Sequence, residues 1–368
     1  MHNKPKIKLL RLVLNLTDTS GAYHLFSIPM SRMCKQKVIS LFKPLIKIHN
    51  DVDVSDADGS IWKYYDLLRE MLKNNQYNVI HAHSPHVGLL LLIALGLSSK
   101  KWRIGRIFSV HYSYQHIRFR NRLFLVPIIL FFNKIVFCSQ ASRDSFPFFL
   151  KYISRHKYQV VYNGIDIKNI EAIKQHHSHK NNDTFNIISI GRLEKIKRFD
   201  KIIAAVKNIS VESINLVIVG GGSQMNYLKS IASDHLFKDK ITFTGEISRE
   251  QVYGHLVNAN LFVSASTTEG HPVSVLESLA AGCLNLLSDI EPHREIAQNG
   301  IFVKLFDGDD NEQLKDEIIK SRSLSPEEHQ LLVDGGQQLA LEKYSLDNMM
   351  SNYLNVYQSV IFNKRARK

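Results

Sequence analysis

Apolar and polar positions alternate along this chain in two recurring patterns. Short apolar runs that end in polar or glycine-containing turns predict buried parallel strands, and stretches with apolar residues at helical spacing follow them. Runs of the first kind include residues 7–14, 38–42, 103–110, 187–190, 214–219, 261–264 and 283–288. The repeated strand, loop and helix units predict an α/β fold with doubly wound parallel sheets.

The pattern occurs twice, which predicts two domains in a chain of 368 residues. It begins near the N-terminus and restarts at Phe185, after a polar segment rich in histidine. We therefore expect one doubly wound domain over residues 1–166, an exposed linker over 167–184 and a second such domain over 185–345. A last helical stretch and a basic tail occupy residues 346–368.

Composition supports two cores and gives no sign of a membrane span. Hydrophobic residues make up 44% of the chain and charged residues 22%. The most hydrophobic stretches, 87–97 and 123–132, are far shorter than the roughly 20 residues of a membrane-spanning helix, so we expect buried helices there. The N-terminal residues read as a first strand rather than a signal peptide. Three widely spaced cysteines without a C-x-x-C motif fit a reducing, cytoplasmic compartment.

The formal net charge of +13 indicates anionic partners, such as phosphorylated donors, an acidic membrane face or nucleic acid. The most notable basic stretch, residues 116–122, mixes arginines with aromatic residues just ahead of the greasy stretch 123–132. No RNA- or DNA-binding signature accompanies it, so we do not expect a nucleic-acid partner. A membrane-surface or phosphate-facing patch and an ordinary solvated helix start both stay open.

One stretch of the second domain concentrates the candidate chemistry. After the apolar run 261–264, Glu269 stands in a loop and Glu277 follows on a predicted helix, with Pro272 in its first turn and Gly282 just past its end. Amides at the helix N-terminus favour an anionic or hydroxyl-rich ligand, and the two carboxylates can accept hydrogen bonds from sugar hydroxyls. The alternative is an ordinary amphipathic helix with a glutamate on its solvent face.

The spacing of Glu269 and Glu277 resembles the E-x7-E signature of retaining glycosyltransferases of family 4, also called glycosyl transferases group 1. Three further motifs stand in the order in which this family has them: V-x-N-G-x-D at residues 161–166, G-R-x4-K at 191–197 and a glycine run at 220–222. The resemblance implies the GT-B fold. In that fold two Rossmann-like domains face each other across a cleft, and the C-terminal helix crosses back to the first domain.

The resemblance also implies roles for individual residues. Arg192 and Lys197 would hold the diphosphate of a nucleotide-sugar donor, Glu269 and the amides after it would hold the sugar hydroxyls, and Glu277 would accept from the ribose. The implied donor-binding residues are Arg192, Lys197, Gly221, Gly245, Glu269, Gly270, His271, Pro272, Val273 and Glu277. Two cations at the leaving diphosphate imply catalysis without a metal or another cofactor.

The candidate site residues of the first domain are mainly histidines. His111 follows the strand 103–110, where it either contacts the donor sugar, as the resemblance implies, or only caps the strand. His81 and His83 form an H-x-H that resembles the family's acceptor-domain signature. A metal site there is less favoured, because no carboxylate or cysteine accompanies the histidines. The implied catalytic residues are Glu269, His111, Arg192 and Lys197. The implied acceptor side comprises His81, His83 and Gly21, the single glycine of a first loop that often carries paired glycines in the family.

The resulting prediction is a retaining, metal-independent hexosyltransferase. It would move a hexose or N-acetylhexosamine from a UDP-sugar, with a GDP-sugar as second choice, to a hydroxyl of a growing, lipid-linked bacterial surface glycan such as lipopolysaccharide or capsule. We expect it in the cytoplasm, at the inner face of the cell membrane. The alternatives are a sugar-nucleotide epimerase or a glycogen-type synthase on the same fold, and a non-catalytic basic protein that binds polyanions or membranes.

Overall fold

A computed structural model describes residues 6–17, 26–73, 76–96, 103–176, 184–209, 213–233, 240–298 and 300–362. The chain divides into two compact units. The first consists of Met1–Gly164 together with Leu346–Lys368, and the second of Ile165–Ser345. The C-terminal helix therefore belongs to the first unit, as the predicted fold requires.

A parallel sheet forms the centre of the first unit. Its strands are β1 (Lys8–Val13), β2 (Lys35–Ser40), β3 (Asp53–Asp56), β4 (Val79–Ala82), β5 (Gly105–Val110), β6 (Lys134–Phe137) and β7 (Tyr158–Val160). Their order is β3-β2-β1-β4-β5-β6-β7, with parallel pairing throughout. This is the Rossmann order, whose switch point lies between β1 and β4.

Helices cover this sheet, so its central strands are buried on both faces, as their nearly continuous apolar sequences predict. They are α1 (Ile28–Ser31), α2 (Ile61–Lys73), α3 (Pro85–Leu95), α4 (Phe119–Phe131), α5 (Gln140–Asp144) and α6 (Phe148–Ser154). Strand β3 was not predicted, because its sequence, Asp-Val-Ser-Asp, has no apolar run. Its place at the sheet edge explains that polarity.

The second unit repeats the Rossmann order. Its elements in chain order are α7 (Ile167–His176), β8 (Phe185–Ile190), α8 (Phe199–Lys207), β9 (Ile214–Val219), α9 (Met225–Ala232), β10 (Ile241–Gly245), α10 (Arg249–Val257), β11 (Leu261–Ser264), α11 (Val273–Ala281), β12 (Leu284–Ser288), α12 (Glu291–Ala297), β13 (Val303–Phe306), α13 (Asn311–Arg322) and α14 (Pro326–Tyr344). The strand order is β10-β9-β8-β11-β12-β13, all parallel. Its switch point lies between β8 and β11.

The prediction of an exposed linker over residues 167–184 is wrong for its first part, residues 167–176. Helix α7 occupies these residues, buries Ile167 and Ile170, and packs against α10 and α11. Apolar residues at positions 167, 170 and 173 have helical spacing, but the polar residues around them dominate the composition. Residues 167–176 therefore form the first helix of the second unit.

Two helices of the first unit differ from each other in burial. The last helix, α15 (Leu346–Phe362), buries Tyr353, Val356, Tyr357 and Val360. Helix α4 was expected to be buried, and that expectation is wrong in part, because its outer side exposes large apolar residues. Those residues are Phe119, Leu123, Leu130 and Phe131. Across the described ranges, no helix combines the length and the apolar character needed to cross a membrane.

Candidate functional site

A lysine and a glutamate meet at the switch point of the second sheet. Lys197 lies in the loop after β8, and Glu269 lies in the loop after β11, the strand paired with β8. The Lys197 ammonium donates a hydrogen bond to Oε1 of Glu269, and the two side chains are only 17% and 12% exposed. Ser266 Oγ donates to the same oxygen at 2.7 Å. The fold thus joins two predicted site residues at the carboxyl ends of the strands, where ligands of such folds bind.

Backbone hydrogen bonds hold the loops that carry this pair. Thr267 N donates to Ile196 O at 2.9 Å, which joins the loop after β11 to the loop after β8. Leu193 N donates to Gly221 O at 2.8 Å, which ties the loop after β8 to the glycine run. Each loop is therefore positioned by its neighbours, so the charged groups are held in place before a ligand arrives.

The glycine run is required by the close approach of protein backbone. Gly220 and Gly222 have φ values of +131° and +154°. A Cβ on Gly220 would lie 2.1 Å from Gly191 O, and one on Gly222 would lie 2.6 Å from Leu193 O. Both added Cβ atoms would therefore clash with the backbone of the loop after β8, which already occupies this space.

Gly221 and Gly245 were both predicted to bind the donor. Gly220 N donates to Gly245 O at 2.9 Å, so the loop after β9 is also joined to the end of β10. Gly245 has φ of +71° with no atom within 4 Å of where its Cβ would lie, so the backbone conformation alone favours glycine there. A Cβ on Gly221 would lie 2.9 Å from Cγ of Glu246. Their contact with a donor stays a prediction.

Glu269 is ionised at neutral pH. Burial by itself would raise the pKa of its carboxyl, but the Lys197 ammonium, the Ser266 hydroxyl and the nearby His293 hold that pKa below its ordinary value. The carboxylate can therefore accept hydrogen bonds from ligand hydroxyls while it keeps Lys197 in place. An acceptor-only group of this kind suits a sugar.

His293 is a buried neighbour that the sequence analysis missed. Ser288 Oγ donates to Ser266 O at 2.6 Å, and His293 Nδ1 lies 2.8 Å from Ser288 O. Because a carbonyl only accepts, Nδ1 carries the proton, and Nε2 is the bare nitrogen of the neutral ring. Burial lowers the pKa of His293 despite the attraction of the Glu269 carboxylate. His293 follows the carboxyl end of β12, and this position in the sequence was the available signal that it lies near the site.

Arg192 and Lys197, the two predicted diphosphate ligands, lie in different surroundings. Lys197 is largely buried and paired with Glu269, whereas the Arg192 side chain is exposed and pairs with no described residue. A guanidinium that is accessible in this way can take two phosphate oxygens as a fork. Their joint role at a diphosphate stays a prediction.

The N-terminus of α11 follows directly after Glu269. Pro272 is its N-cap residue, one position before the predicted first turn, and no side chain of the described residues caps the helix. The first amides of α11 are therefore available to a ligand, next to an ionised carboxylate. Gly282 ends the helix with φ of +85°, as predicted.

His271 and Glu277, also predicted to bind the donor, are buried. His271 packs against Tyr344 with 5.3 Å between ring centroids, and burial, aided by Lys343, lowers its pKa to about 3. Val273 is the first residue of α11, and Gly270 precedes His271 in the loop. His271 is therefore neutral at physiological pH, when it can bind a ligand only as an uncharged group.

Glu277 does not lie on a solvent face. It is 1% exposed, and its Oε1 lies 2.9 Å from Arg249 Nη2 and 3.3 Å from the Tyr253 hydroxyl, which donates to it. Burial raises the pKa of Glu277 although Arg249 and Tyr253 oppose that effect. The alternative of a solvated glutamate is therefore wrong, and Arg249 and Tyr253 are partners that the sequence analysis did not name.

In the first unit, the predicted histidines gather around a buried arginine. Arg11 on β1 is fully buried, with Nη1 2.7 Å from His83 Nε2. His83 Nδ1 lies 3.0 Å from His111 Nε2, and the two ring planes are nearly parallel, 11° apart, with 5.3 Å between their centroids. His81 contacts the Tyr357 hydroxyl at 2.9 Å through Nδ1. The histidines at the ends of β4 and β5 thus form one cluster with α15.

All three histidines of this cluster are neutral at physiological pH. Burial, with the positive charge of Arg11, lowers the pKa of His111 to about 4. Burial first, with smaller effects of Arg11 and the neighbouring histidines, also lowers the pKa of His81 and His83 well below the ordinary range. Arg11 was not predicted as a site residue, and its only signal was a charge within an apolar strand pattern.

Two predicted features need separate mention. Gly21 lies outside the described residues. Within the described ranges, no group of three or more histidine, cysteine, aspartate or glutamate side chains is arranged to hold a metal ion.

Comparison with known families identifies the class of protein. The family described as Glycosyltransferase Family 4 matches residues 52–169, and the family described as Glycosyl transferases group 1 matches residues 170–334. The two matches adjoin each other and reach from the third strand to the fourteenth helix. This chain belongs to the glycosyltransferases of family 4, group 1 type, and has their GT-B fold.

Individual relatives are distant. An uncharacterized 41.2 kDa protein in the cps region of Klebsiella pneumoniae is 20% identical over 314 residues, which cover 82% of this chain and 84% of that protein. The UDP-Gal:alpha-D-GlcNAc-diphosphoundecaprenol alpha-1,3-galactosyltransferase of Escherichia coli is 24% identical over 66% of each chain. Anabaena HepE in complex with UDP is similar in structure, with a TM-score of 0.79 and 16% identity, over 96% of this chain and 100% of that one.

Proposed function

We propose that this glycosyltransferase moves a hexose or N-acetylhexosamine from a nucleotide diphosphate sugar to a hydroxyl of a growing glycan, with retention of the anomeric configuration. The observation that carries the proposal is the Lys197–Glu269 pair beside the uncapped N-terminus of α11. It offers a cation, amide donors and a carboxylate acceptor in one loop cluster. A sugar diphosphate presents the complementary groups, namely phosphate oxygens and hydroxyls.

Each charged residue has a part in this proposal. Arg192 and Lys197 stabilise the departing diphosphate, and Lys197 has further N–H donors for phosphate while it remains bonded to Glu269. Glu269 accepts hydrogen bonds from the sugar hydroxyls, and His111 contacts the donor sugar. These cations neutralise the charge that develops on the leaving group, so the proposal includes no metal or other cofactor.

The proposed reaction forms no covalent bond between the sugar and the enzyme. The bond from C1 of the sugar to the diphosphate oxygen breaks while the acceptor oxygen bonds to the same face of C1. The acceptor's proton passes to the leaving phosphate. The enzyme's part is to orient the donor and to stabilise the separated charge.

A sugar attached to uridine diphosphate is the proposed donor. The name of the Escherichia coli relative specifies UDP-Gal, and HepE was crystallised with UDP. Glu277 is the proposed partner of the ribose hydroxyls. Because Arg249 and Tyr253 already contact its Oε1, a ribose would share this carboxylate with them.

A lipid-linked acceptor at an acidic membrane surface is the second part of the proposal. Helices α4 and α6 pack against each other in the first unit and expose large apolar side chains. These are Phe119, Leu123, Leu130, Phe131, Phe148, Phe149 and Tyr152, and exposed arginines stand among them at positions 118, 120 and 155. Aromatic and basic residues on one surface favour the interface of an acidic bilayer.

Calorimetric titration tests the donor assignment. We expect UDP, but not GDP, to bind the purified protein with EDTA present, and Arg192→Ala to weaken that binding by about tenfold or more, because a charge-assisted fork is lost. Arg322→Ala, which removes an exposed arginine on α13, is the control for net charge. Absence of binding of either nucleotide to the wild type would refute the diphosphate assignment.

Vesicle sedimentation tests the membrane assignment. Vesicles with acidic lipid should retain the protein at physiological salt, and neutral vesicles should retain less. Phe148→Ser with Phe149→Ser should reduce retention, whereas Leu331→Ser, at an exposed leucine of α14, should not. Equal retention of both variants, or none of the wild type, would remove the membrane from the proposal.

A further inference from the structure

Arg11 is a charged side chain in an unusual place. It lies within β1, is fully buried, and forms no ion pair with any aspartate or glutamate of the described residues. Its Nε donates to Gln36 Oε1 at 3.1 Å, and its guanidinium lies 5.5 Å from the centre of the Phe26 ring. Burying an arginine without a carboxylate is costly, so the position calls for a specific use of its hydrogen bonds.

The hydrogen bonds of Arg11 have only one possible direction. A guanidinium donates and never accepts. The contact of 2.7 Å between Arg11 Nη1 and His83 Nε2 therefore requires a bare nitrogen at Nε2. Because His83 is neutral, its one proton is on Nδ1.

The same reasoning extends to His111. His83 Nδ1–H points at His111 Nε2, 3.0 Å away, so that nitrogen must also be bare. Neutral His111 then carries its proton on Nδ1. His111 is partly exposed, and its Nδ1 makes no hydrogen bond with any described residue. The group left for a ligand is an N–H donor.

We infer that Arg11 acts through His83 to fix His111 as the Nδ1–H tautomer, which gives the site a neutral hydrogen-bond donor with one defined orientation. Arg11 and His83 are positioning residues in this scheme. The ligand atom that fits His111 is an oxygen acceptor, such as a sugar hydroxyl or ring oxygen. Only this last step rests on the proposed function, because the tautomer belongs to the free protein.

A second chain of hydrogen bonds leaves Arg11 toward α15. Arg11 Nη2 lies 3.4 Å from the Tyr357 hydroxyl, which lies 2.9 Å from His81 Nδ1, and His81 Nε2 lies 2.8 Å from Ser109 Oγ. Among the described residues, no hydrogen bond joins this branch to His111. Tyr357→Phe is therefore a matched control, since it removes a polar neighbour of Arg11 and should leave the tautomer of His111 unchanged.

Long-range proton–nitrogen correlation spectra of protein labelled with 15N-histidine test the inference, because they distinguish a protonated ring nitrogen from a bare one. The signals of His111 are assigned by their loss in His111→Gln. At pH 7 the wild type should show His111 with a protonated Nδ1 and a bare Nε2. Arg11→Met should lose this single state, whereas Arg11→Lys, which keeps a donor-only group, and Tyr357→Phe should retain it.

A second pair of variants serves if Arg11→Met does not fold. In His83→Gln the amide oxygen can accept from Arg11 and the amide NH2 can donate to His111, so the tautomer should persist. His83→Leu should abolish it. A wild-type His111 protonated on Nε2, or an unchanged His111 in folded Arg11→Met or His83→Leu, would overturn the inference. A fixed tautomer in a protein that binds no nucleotide would instead refute the proposed function and leave the relay intact.

Discussion

Glu269 and Glu277 lie on one loop and helix, yet their surroundings shift their ionisation in opposite directions. Lys197 and Ser266 favour the charged form of Glu269 enough to outweigh burial. For Glu277, burial outweighs Arg249 and Tyr253. The E-x7-E motif therefore contains two chemically different carboxyl groups. The surroundings of Glu269 stabilise its charged form, whereas burial destabilises the charged form of Glu277.

This contrast predicts opposite pH dependences of stability. The pKa of Glu269 lies below its ordinary value of 4.5 in the folded protein, so its contribution is present above that value and is lost as pH falls through the folded pKa. Glu269→Gln should therefore lower the free energy of unfolding at pH 7 by about 1–3 kcal/mol, the usual size for a hydrogen bond to a charged group. The difference from wild type should shrink below about pH 4.5.

Glu277→Gln is the matched control for that experiment. In the wild type, the raised pKa of Glu277 means that the folded state favours the protonated carboxyl. Stability is therefore lost as pH rises through the interval between the pKa of Glu277 in the unfolded chain and its pKa in the folded protein. Replacing this glutamate should therefore be less harmful at pH 7 than at pH 4. Thermal melts followed by circular dichroism at both pH values measure the two effects, and the same pH trend in both variants would contradict the assignment.

At the scale of elements, the loops after the strands of the second unit form one connected structure. The loops after β8, β9 and β11 exchange backbone hydrogen bonds, and the loop after β9 also bonds to the end of β10. The glycines make this possible because they leave room for a neighbouring backbone rather than for a ligand alone. Positioning of Lys197 and Glu269 is thus a property of the loop assembly.

Two glycine-to-alanine substitutions separate a required glycine from a tolerant one. Gly220→Ala places a Cβ 2.1 Å from Gly191 O at a φ of +131°, so we expect a loss of about 2 kcal/mol or more. Gly254→Ala, in the interior of α10, meets no atom within 4 Å and should stabilise by about 0.5–1 kcal/mol. Chemical denaturation measures both, and a tolerated Gly220→Ala would show that the two loops are not packed as described.

At the scale of the whole molecule, the two ends of the chain build one unit. Helix α15 follows the second unit in sequence but buries Tyr353, Tyr357 and Val360 in the first. It packs against β5 at Gly105, where an added Cβ would lie 2.6 Å from Cγ2 of Val360. Side chains of α15 are therefore part of the core of the first unit.

This packing predicts a coupling between Gly105 and Val360. Gly105→Ala should destabilise the first unit by about 1–3 kcal/mol through overpacking. Combined with Val360→Ala, which removes the clashing methyl group, the loss should be smaller than the sum of the two single losses. Urea unfolding followed by circular dichroism measures the three losses. Strictly additive effects would contradict the packing.

The sequence by itself determined the fold class, the glycosyltransferase family and most element positions, because buried parallel strands read as apolar runs and the family motifs are contiguous in sequence. It placed β11, the start of α11 and the left-handed Gly282 within one residue. It did not identify β3 or α7, whose polar composition hides an edge strand and a half-buried helix, respectively. Its roles for Arg192, Lys197 and His111 at a donor stay predictions.

Only the tertiary structure decided which side chains share an environment. Lys197 and Glu269 are 72 residues apart in sequence, and Arg11 meets His83 and Tyr357 across 72 and 346 residues. Burial, hydrogen-bond direction and ionisation depend on neighbours that parallel strand pairing brings together, and no local pattern encodes those neighbours. For the same reason, His293 beside Glu269, Arg249 beside Glu277 and Arg11 beside His83 became recognisable as site neighbours only in the folded protein.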